Sequence, residues 1–355
     1  MQESLLPVLR CPVTRSRLNL RSTKPVKKKL DGSLVDSVEE GILFSDNLWF
    51  YPVIKGIPRL NVEAVGEYED FFKNNLPDFA DRKAKLFDQY GVFIEKVRKK
   101  NRHTRQTFSR EWSVFDPEKD KTWNAGTDEL VKRFLTETGE TAVSLLDKIV
   151  FDAGCGNGVL NTELGRSGIM NIGMDFSNSI ETAYERNEYR NVHFIQGDVQ
   201  YPPVAFNFFD VVHSSGVLIA TNNTELSFSC IEPAVKKGGK LSVWLYGPRK
   251  DRIHNLFNRT RKITSKFPLG LQYFFSLYMV FPISFIVKRL KGNKQNTREM
   301  KVDILDWFTP EFRWEHDQSE AATWFYKRGY TNVKVTTDEL FGFNITGVKP
   351  EEPGQ

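Results

Sequence analysis

Asp152 stands two residues before the first of three alternating glycines, Gly154, Gly156 and Gly158. Glycines spaced in this way let a backbone turn tightly and let a ligand approach it closely. The free N–H groups of a helix beginning at Val159 and Leu160 would then face that ligand. The spacing differs from the G-x-G-x-x-G that cradles a pyrophosphate. A carboxylate at position 152 would also repel a pyrophosphate, whereas it suits a cationic amine. A second acid, Asp175, follows 23 residues later, near the separation at which an acid meets ribose hydroxyls in folds of this type. A third, Asp198, closes the segment Gly197-Asp198-Val199.

These acids need strand ends to hold them. Ile149-Val150-Phe151 reads as a short buried strand ending at Asp152, and Ile172-Gly173-Met174 as a second ending at Asp175. Val192-His193-Phe194-Ile195 reads as a third, and Phe209-Asp210-Val211-Val212 as a fourth that runs into His213-Ser214-Ser215-Gly216-Val217-Leu218. Val235-Lys236-Lys237-Gly238-Gly239-Lys240-Leu241-Ser242-Val243-Trp244 reads as a turn into a fifth. Five such segments in this order, over about 100 residues, resemble the class I S-adenosylmethionine-dependent methyltransferases. Lys237 replaces the proline usual in the last turn of that family. The resemblance implies an α/β, Rossmann-like, seven-stranded sheet, mostly parallel. It pairs Val333–Val335 with Asn344–Val348 as a closing hairpin that supplies an antiparallel strand.

The resemblance also implies the cofactor, S-adenosyl-L-methionine, and its site: Asp152, Ala153, Gly154, Cys155, Gly156 and Gly158 at the first strand end, then Asp175, Phe176 and Ser177, then Gly197, Asp198 and Val199, with Ser214 and Ser215 below. In the family the acid matching Asp175 meets the ribose and the one matching Asp198 the adenine amino group. Thr107-Phe108-Ser109-Arg110-Glu111-Trp112, Asp306-Trp307-Phe308-Thr309-Pro310 and the closing Phe343–Pro350 stretch resemble one branch of these enzymes. Relatives often carry two histidines after Gly-Val-Leu, but here Gly216-Val217-Leu218 is followed by Ile219-Ala220. A proton-transferring group must therefore come from elsewhere. His316 and Asp306 are the first candidates for a general base, with His213, placed at a strand end facing the pocket, as a third. Tyr246 and Trp307 are the candidates for acceptor binding.

Four sections follow from the pattern: residues 1–61, 62–125, a core of 126–248 with 302–350, and an insertion at 249–301. The first resembles the small zinc-ribbon-like activators of some methyltransferases through Leu9-Arg10-Cys11-Pro12 and Tyr51-Pro52-Val53-Ile54-Lys55-Gly56-Ile57-Pro58. Only Cys11 of the expected cysteines is present, Thr14 stands at the second position, and Phe44 and Ser45 occupy a later one. A thiolate and a hydroxyl do not make a structural zinc site, so no metal is expected. A separate β-rich unit is expected instead, held by Ile42, Leu43, Phe50, Tyr51, Ile54, Ile57 and Leu60, with Lys24, Lys27, Lys28 and Lys29 on a solvated loop. Residues 62–125 should form helices that join the units and cover the cofactor mouth.

The insertion has its own chemistry. Residues 267–287 carry no charge, yet between Arg249 and Lys301 thirteen Lys or Arg face only Asp251 and Glu299. That is +11 in a chain of net +5. Three readings fit: a helical cap whose apolar face closes over the substrate pocket, an element that dips into an anionic membrane surface, or a basic surface for RNA. A membrane span is long enough but would interrupt the sheet between its fifth and sixth strands.

The remaining composition is that of a globular enzyme, with 40% hydrophobic and 27% charged residues. Three cysteines point to a reducing compartment rather than a disulfide framework, and no secretory signal is visible, so a cytoplasmic protein is expected, with peripheral contact at the inner membrane surface as an option. The leading expectation is methyl transfer to a small-molecule acceptor of glycan, lipid-linked or secondary-metabolite type. RNA is the second, and a non-catalytic cofactor-binding scaffold the third. The sequence does not fix the oligomeric state.

Overall fold

The computed structural model describes residues 1–46, 48–114, 126–249, 251–293 and 295–351. The side chains of 111–114, Arg252 and Ile253 also fall outside the description, and Trp112 with them.

Seven strands make the central sheet: β5 (Ile149–Ala153), β6 (Met170–Asp175), β7 (Val192–Gln196), β8 (Phe209–Ser215), β9 (Val235–Tyr246), β10 (Thr331–Asp338) and β11 (Gly342–Val348). Their order is β10-β11-β9-β8-β5-β6-β7. Strands β5 to β9 pair in parallel, and β11 runs antiparallel to both β9 and β10. Runs such as Ile149-Val150-Phe151 are apolar without alternation because a parallel strand is covered on both faces. Helices α4 (Thr127–Thr138), α5 (Val159–Arg166), α6 (Ser179–Arg186), α7 (Thr224–Ile231) and α12 (Gln318–Tyr326) accompany the strands. Chain order reverses direction across the sheet at β5, whose neighbours are β6 and β8. Ligands of such sheets bind beyond the carboxyl ends at this switch.

The first residues form an antiparallel sheet of β1 (Leu18–Leu30), β2 (Ser33–Ser45), β3 (Phe50–Ile54) and β4 (Ile57–Pro58). Of the residues expected to hold it, Ile42, Leu43, Phe50, Tyr51, Ile57 and Leu60 are buried and Ile54 half-buried. Two expectations are corrected here. The lysines at 24, 27, 28 and 29 lie on β1 rather than on a loop, because the hairpin continues to Leu30 and Lys28 has a partner. Its ammonium stands 3.7 Å from the Tyr184 ring centroid and donates to the Tyr184 carbonyl at 2.9 Å. The unit also lacks a core of its own. Leu9, Leu43, Tyr51 and Leu60 belong to the same buried cluster as Ile195, Val204 and Phe209. The Leu60 amide donates to the Gln196 carbonyl at 2.8 Å. The fully buried Arg59 reaches Gln196 Oε1 at 3.2 Å and Glu181 Oε1 at 2.9 Å. Cys11 packs with its sulfur 3.2 Å from the Tyr51 hydroxyl and accepts the Thr14 amide at 3.4 Å.

Between the two sheets run α1 (Ala64–Glu67), α2 (Glu69–Asn75) and the 36-residue α3 (Phe79–Val114). Aromatic residues join them to the small sheet through a T-shaped Phe50–Phe72 pair and a stacked Phe72–Phe79 pair. The insertion is helical: α8 (Arg252–Thr264), α9 (Leu269–Phe274), a π-helical stretch at Phe275–Val280, α10 (Phe281–Leu290) and α11 (Thr297–Phe308). From Leu269 to Leu290 the helix is continuous, and by length and composition alone it could cross a bilayer.

Candidate active site

The carboxyl ends of β5, β6, β8 and β9 open into a cavity of about 540 Å³, within the range usual for small-molecule sites. One wall is the glycine turn. Gly154 has φ +104° and Gly156 +56°, a region that L side chains avoid. A Cβ at Gly154 would collide with Val217, so the bare backbone is what fits between the cavity and the loop after β8.

Asp175 ends β6. Its carboxylate accepts the Gly156 amide at 2.9 Å, the Ser177 amide at 2.8 Å and the Ser177 hydroxyl at 2.6 Å. Burial pushes its pKa up, and those three donors act against the shift. The second acid, Asp198, accepts from the Gln200 amide at 2.8 Å and from Asn101 Nδ2 at 3.0 Å. Asn101 and Lys100 bring α3 over this side of the cavity.

The opposite wall comes from the end of β9 and from α11. Tyr246 donates to Asp306 Oδ2 at 3.2 Å. Arg313 lies 3.7 Å from the Tyr246 ring centroid and 4.1 Å from that of Trp307. Burial raises the Asp306 carboxyl to about 6, although the nearby Arg313 charge opposes the rise. Burial likewise raises the Tyr246 phenol, and the negative charge of Asp306 adds to it. A carboxylate poised near neutrality in a lined cavity has the properties of a general base.

The cavity draws together Gly154, Gly156, Asp175, Phe176, Ser177, Gly197, Asp198, Val199, Ser215, Tyr246, Asp306 and Trp307. Ala153, Cys155, Gly158 and Ser214 stand behind its wall; the Ser214 hydroxyl, for instance, donates to the Ala153 carbonyl at 2.7 Å. Three residues need correction. Asp152 is buried beneath the floor with its carboxylate 3.3 Å from His213 Nδ1. His213 does not face the cavity: its ring is clamped between Asp152 and Glu137, with Nε2 2.7 Å from Glu137 Oε2. Burial would lower its pKa, but these two carboxylates outweigh it and raise the imidazole to about 9. With both ring nitrogens held by buried carboxylates, His213 supports the floor and is not placed to serve as a base. His316 is not among the residues that line the cavity: Nε2 lies 2.9 Å from Thr224 Oγ1, Nδ1 3.1 Å from Glu320, and its backbone amide donates to the Tyr246 carbonyl at 2.8 Å.

Trp244, Arg133, Asp303, Lys288 and Gln295 also line the cavity and were not singled out from the sequence. Trp244 was legible as the last residue of the fifth-strand motif, two positions before Tyr246 and hence on the same face. Its ring faces the cavity, while its indole N–H is buried with no partner among the described residues. The residues present therefore fit a nucleoside-bearing, positively charged group: two acids at adjacent strand ends, a bare glycine backbone, and aromatic rings opposite.

The fold and this site define a Rossmann-like α/β domain with its cavity at the carboxyl ends of the parallel strands. Residues 146–268 match the family model described as "Methyltransferase domain", so the chain carries a methyltransferase domain. A demethylmenaquinone methyltransferase of Corynebacterium kroppenstedtii is 36% identical over 94 residues, 26% of this chain and 40% of that relative's length. Among solved structures, the magnesium protoporphyrin IX methyltransferase of Synechocystis PCC 6803 with bound S-adenosylhomocysteine is 15% identical, with a TM-score of 0.36 over 75% of this chain and 99% of that one. A S-adenosylmethionine-dependent methyltransferase of Aquifex aeolicus is 13% identical, with a TM-score of 0.39 over 66% of this chain and 98% of that one.

Proposed function

We propose that the protein transfers a methyl group from S-adenosylmethionine to a small-molecule acceptor of glycan, lipid-linked or secondary-metabolite type. The observation that carries this reading is a single cavity that joins the Asp175 and Asp198 wall to the Tyr246, Asp306 and Trp307 wall. The cofactor, when bound, supplies an already activated methyl on a sulfonium. The chain's own residues then have three tasks. Asp175 and Asp198 orient the nucleoside end, where a carboxylate pairs well with hydroxyl and amino donors. The rings of Trp244 and Tyr246 offer π faces that favour a cation. Asp306, held by Tyr246 at 3.2 Å, takes the proton of an oxygen or nitrogen acceptor as the methyl arrives. Positioning within an enclosed site accounts for most of the rate gain in such a displacement.

The Corynebacterium relative acts, by its name, on demethylmenaquinone, which supports a small-molecule acceptor. The four-stranded N-terminal sheet serves in this reading as a built-in activator-type domain without zinc, its Cys11 packed against the Tyr51 hydroxyl. The test is transfer of labelled methyl from S-adenosylmethionine into cell extract separated into lipid, polar-metabolite, RNA and protein pools. Label in the lipid or polar pool is expected. Label confined to RNA would replace the small-molecule acceptor, and cofactor binding with no label in any pool would leave a scaffold.

A further inference from the structure

The Leu269–Leu290 helix is amphipathic in the reverse sense for a protein in water. Gln272, Tyr273 and Ser276 are buried. The Gln272 amide donates to the Ser265 and Phe267 carbonyls at 3.0 and 2.7 Å, and its nitrogen lies 2.9 Å from His103 Nε2. Tyr273 donates to the Thr107 carbonyl at 3.4 Å. Farther along, Lys288 turns inward to Asp303 at 2.7 Å. The outward residues are Leu271, Phe274, Tyr278, Ile283, Ile286 and Leu290, between 48% and 83% exposed. Their spacing of three and four residues keeps them on one face, with one exception between Tyr278 and Ile283. The π-helical stretch at Phe275–Val280 resolves it, because an i→i+5 turn takes up roughly one extra residue and brings both halves of the stripe into line. The sequence allowed a cap with its apolar face over the pocket; the structure turns that face to the outside.

A continuous apolar face of this kind marks a surface meant to be covered. The surrounding charge identifies the cover. Arg259, Lys262 and Lys266 before the helix and Arg289 and Lys291 at its end are exposed. The two acids of the insertion are already engaged: Asp251 caps α8 and pairs with Arg249 at 2.7 Å, and Glu299 is buried at the start of α11. Apolar residues between exposed cations, with the insertion's two acids paired or buried, match an anionic lipid surface. We infer that this helix lies in the plane of such a surface, with its apolar stripe among the acyl chains and its flanking cations at the headgroups. The inner end of the same helix, through Lys288, lines the cavity beside Gln295 and Asp303. The docked helix thereby sets the acceptor end of the cavity next to the lipid, so that a lipid-borne acceptor reaches Asp306 without crossing water. This last step rests on the methyl-transfer reading; the docking does not.

The test is cosedimentation of the full chain, without cofactor, with vesicles of phosphatidylcholine alone or mixed with phosphatidylglycerol. The bound fraction on anionic vesicles should exceed that on neutral ones by about tenfold or more at low salt and fall as salt is added. The Ile283→Asp, Ile286→Asp double variant should abolish it, while Leu226→Asp, an exposed apolar residue on α7, should retain it. Equal binding to both vesicles, or binding unchanged in the double variant, overturns the inference. So does absence of vesicle binding with a sedimentation mass that halves in the double variant, which would assign the face to a second copy of the chain. Because no methyl transfer is read, failure of the enzymatic reading leaves the result intact, and the reverse also holds.

Discussion

Tyr246 donates its phenolic hydrogen to Asp306 Oδ2 at 3.2 Å, across the gap between the fifth strand of the core and the last helix of the insertion. The bond joins two segments 60 residues apart and fixes one oxygen of a carboxylate that lines the cavity.

Asp306→Asn should lower turnover by about 10²–10⁴ with cofactor affinity unchanged, read by a turnover assay beside calorimetric titration with S-adenosylmethionine. Because burial raises the Asp306 carboxyl to about 6 and a base must be deprotonated, turnover in the parent should rise with pH through that value. Tyr246→Phe removes a hydrogen bond that holds the acid down, so the rising limb should move to higher pH. A limb that stays in place would remove Asp306 from the proton path.

Asp175→Ala should weaken cofactor binding by about tenfold to a hundredfold, the value of one or two hydrogen bonds to a charged group. Part of the effect is indirect, since Asp175 also accepts the Gly156 amide at 2.9 Å and so holds the glycine turn. Asp175→Asn, which keeps an acceptor for that amide, should recover part of the affinity in the same titration.

His213→Gln should destabilise the fold by about 3–5 kcal/mol, because it leaves the buried carboxylates of Asp152 and Glu137 without their cation. The folded-state pKa of His213 is raised from 6.5 to about 9. Its contribution is therefore complete below 6.5 and lost as pH rises through 9. Urea midpoints of the parent and the variant should differ most at pH 6 and converge above about 9.

Arg59→Met should cost about 1–3 kcal/mol, as it strips Gln196 and Glu181 of a buried donor while keeping most of the side-chain volume. Glu181 is partly solvated, which places the loss below that of a fully enclosed pair. A urea melt with one transition would show that the two sheets still unfold together.

The strand ends of the core were legible because local rules and tertiary demands coincide there. An apolar run, an acid and a glycine in positive φ at Gly154 each need only their own neighbours. Asp306 and Tyr246 were also legible, as polar groups beside motifs. The histidines were not, since whether an imidazole faces a cavity or a carboxylate depends on partners far away in the chain: Glu137 for His213, Thr224 for His316. The insertion was left open among three readings for a related reason. Its hydrophobicity and charge were plain, but the phase shift at Phe275–Val280 and the inward turn of Gln272 decide which side is outside, and neither shows in composition. At the N-terminus the motif residues gave the small sheet, but they could not show that its core continues into Ile195 and Val204.

Strand β7 is the last in the central sheet, and an uncovered last strand invites pairing with other chains. Here Arg59 and Leu60 run beside Gln196, and Leu9 bridges Val204 just beyond it. The segment that seals this border thus lies 137 residues earlier in the chain than the strand it covers. Loss of that contact would bare the β7 border and leave it open to pairing with another molecule.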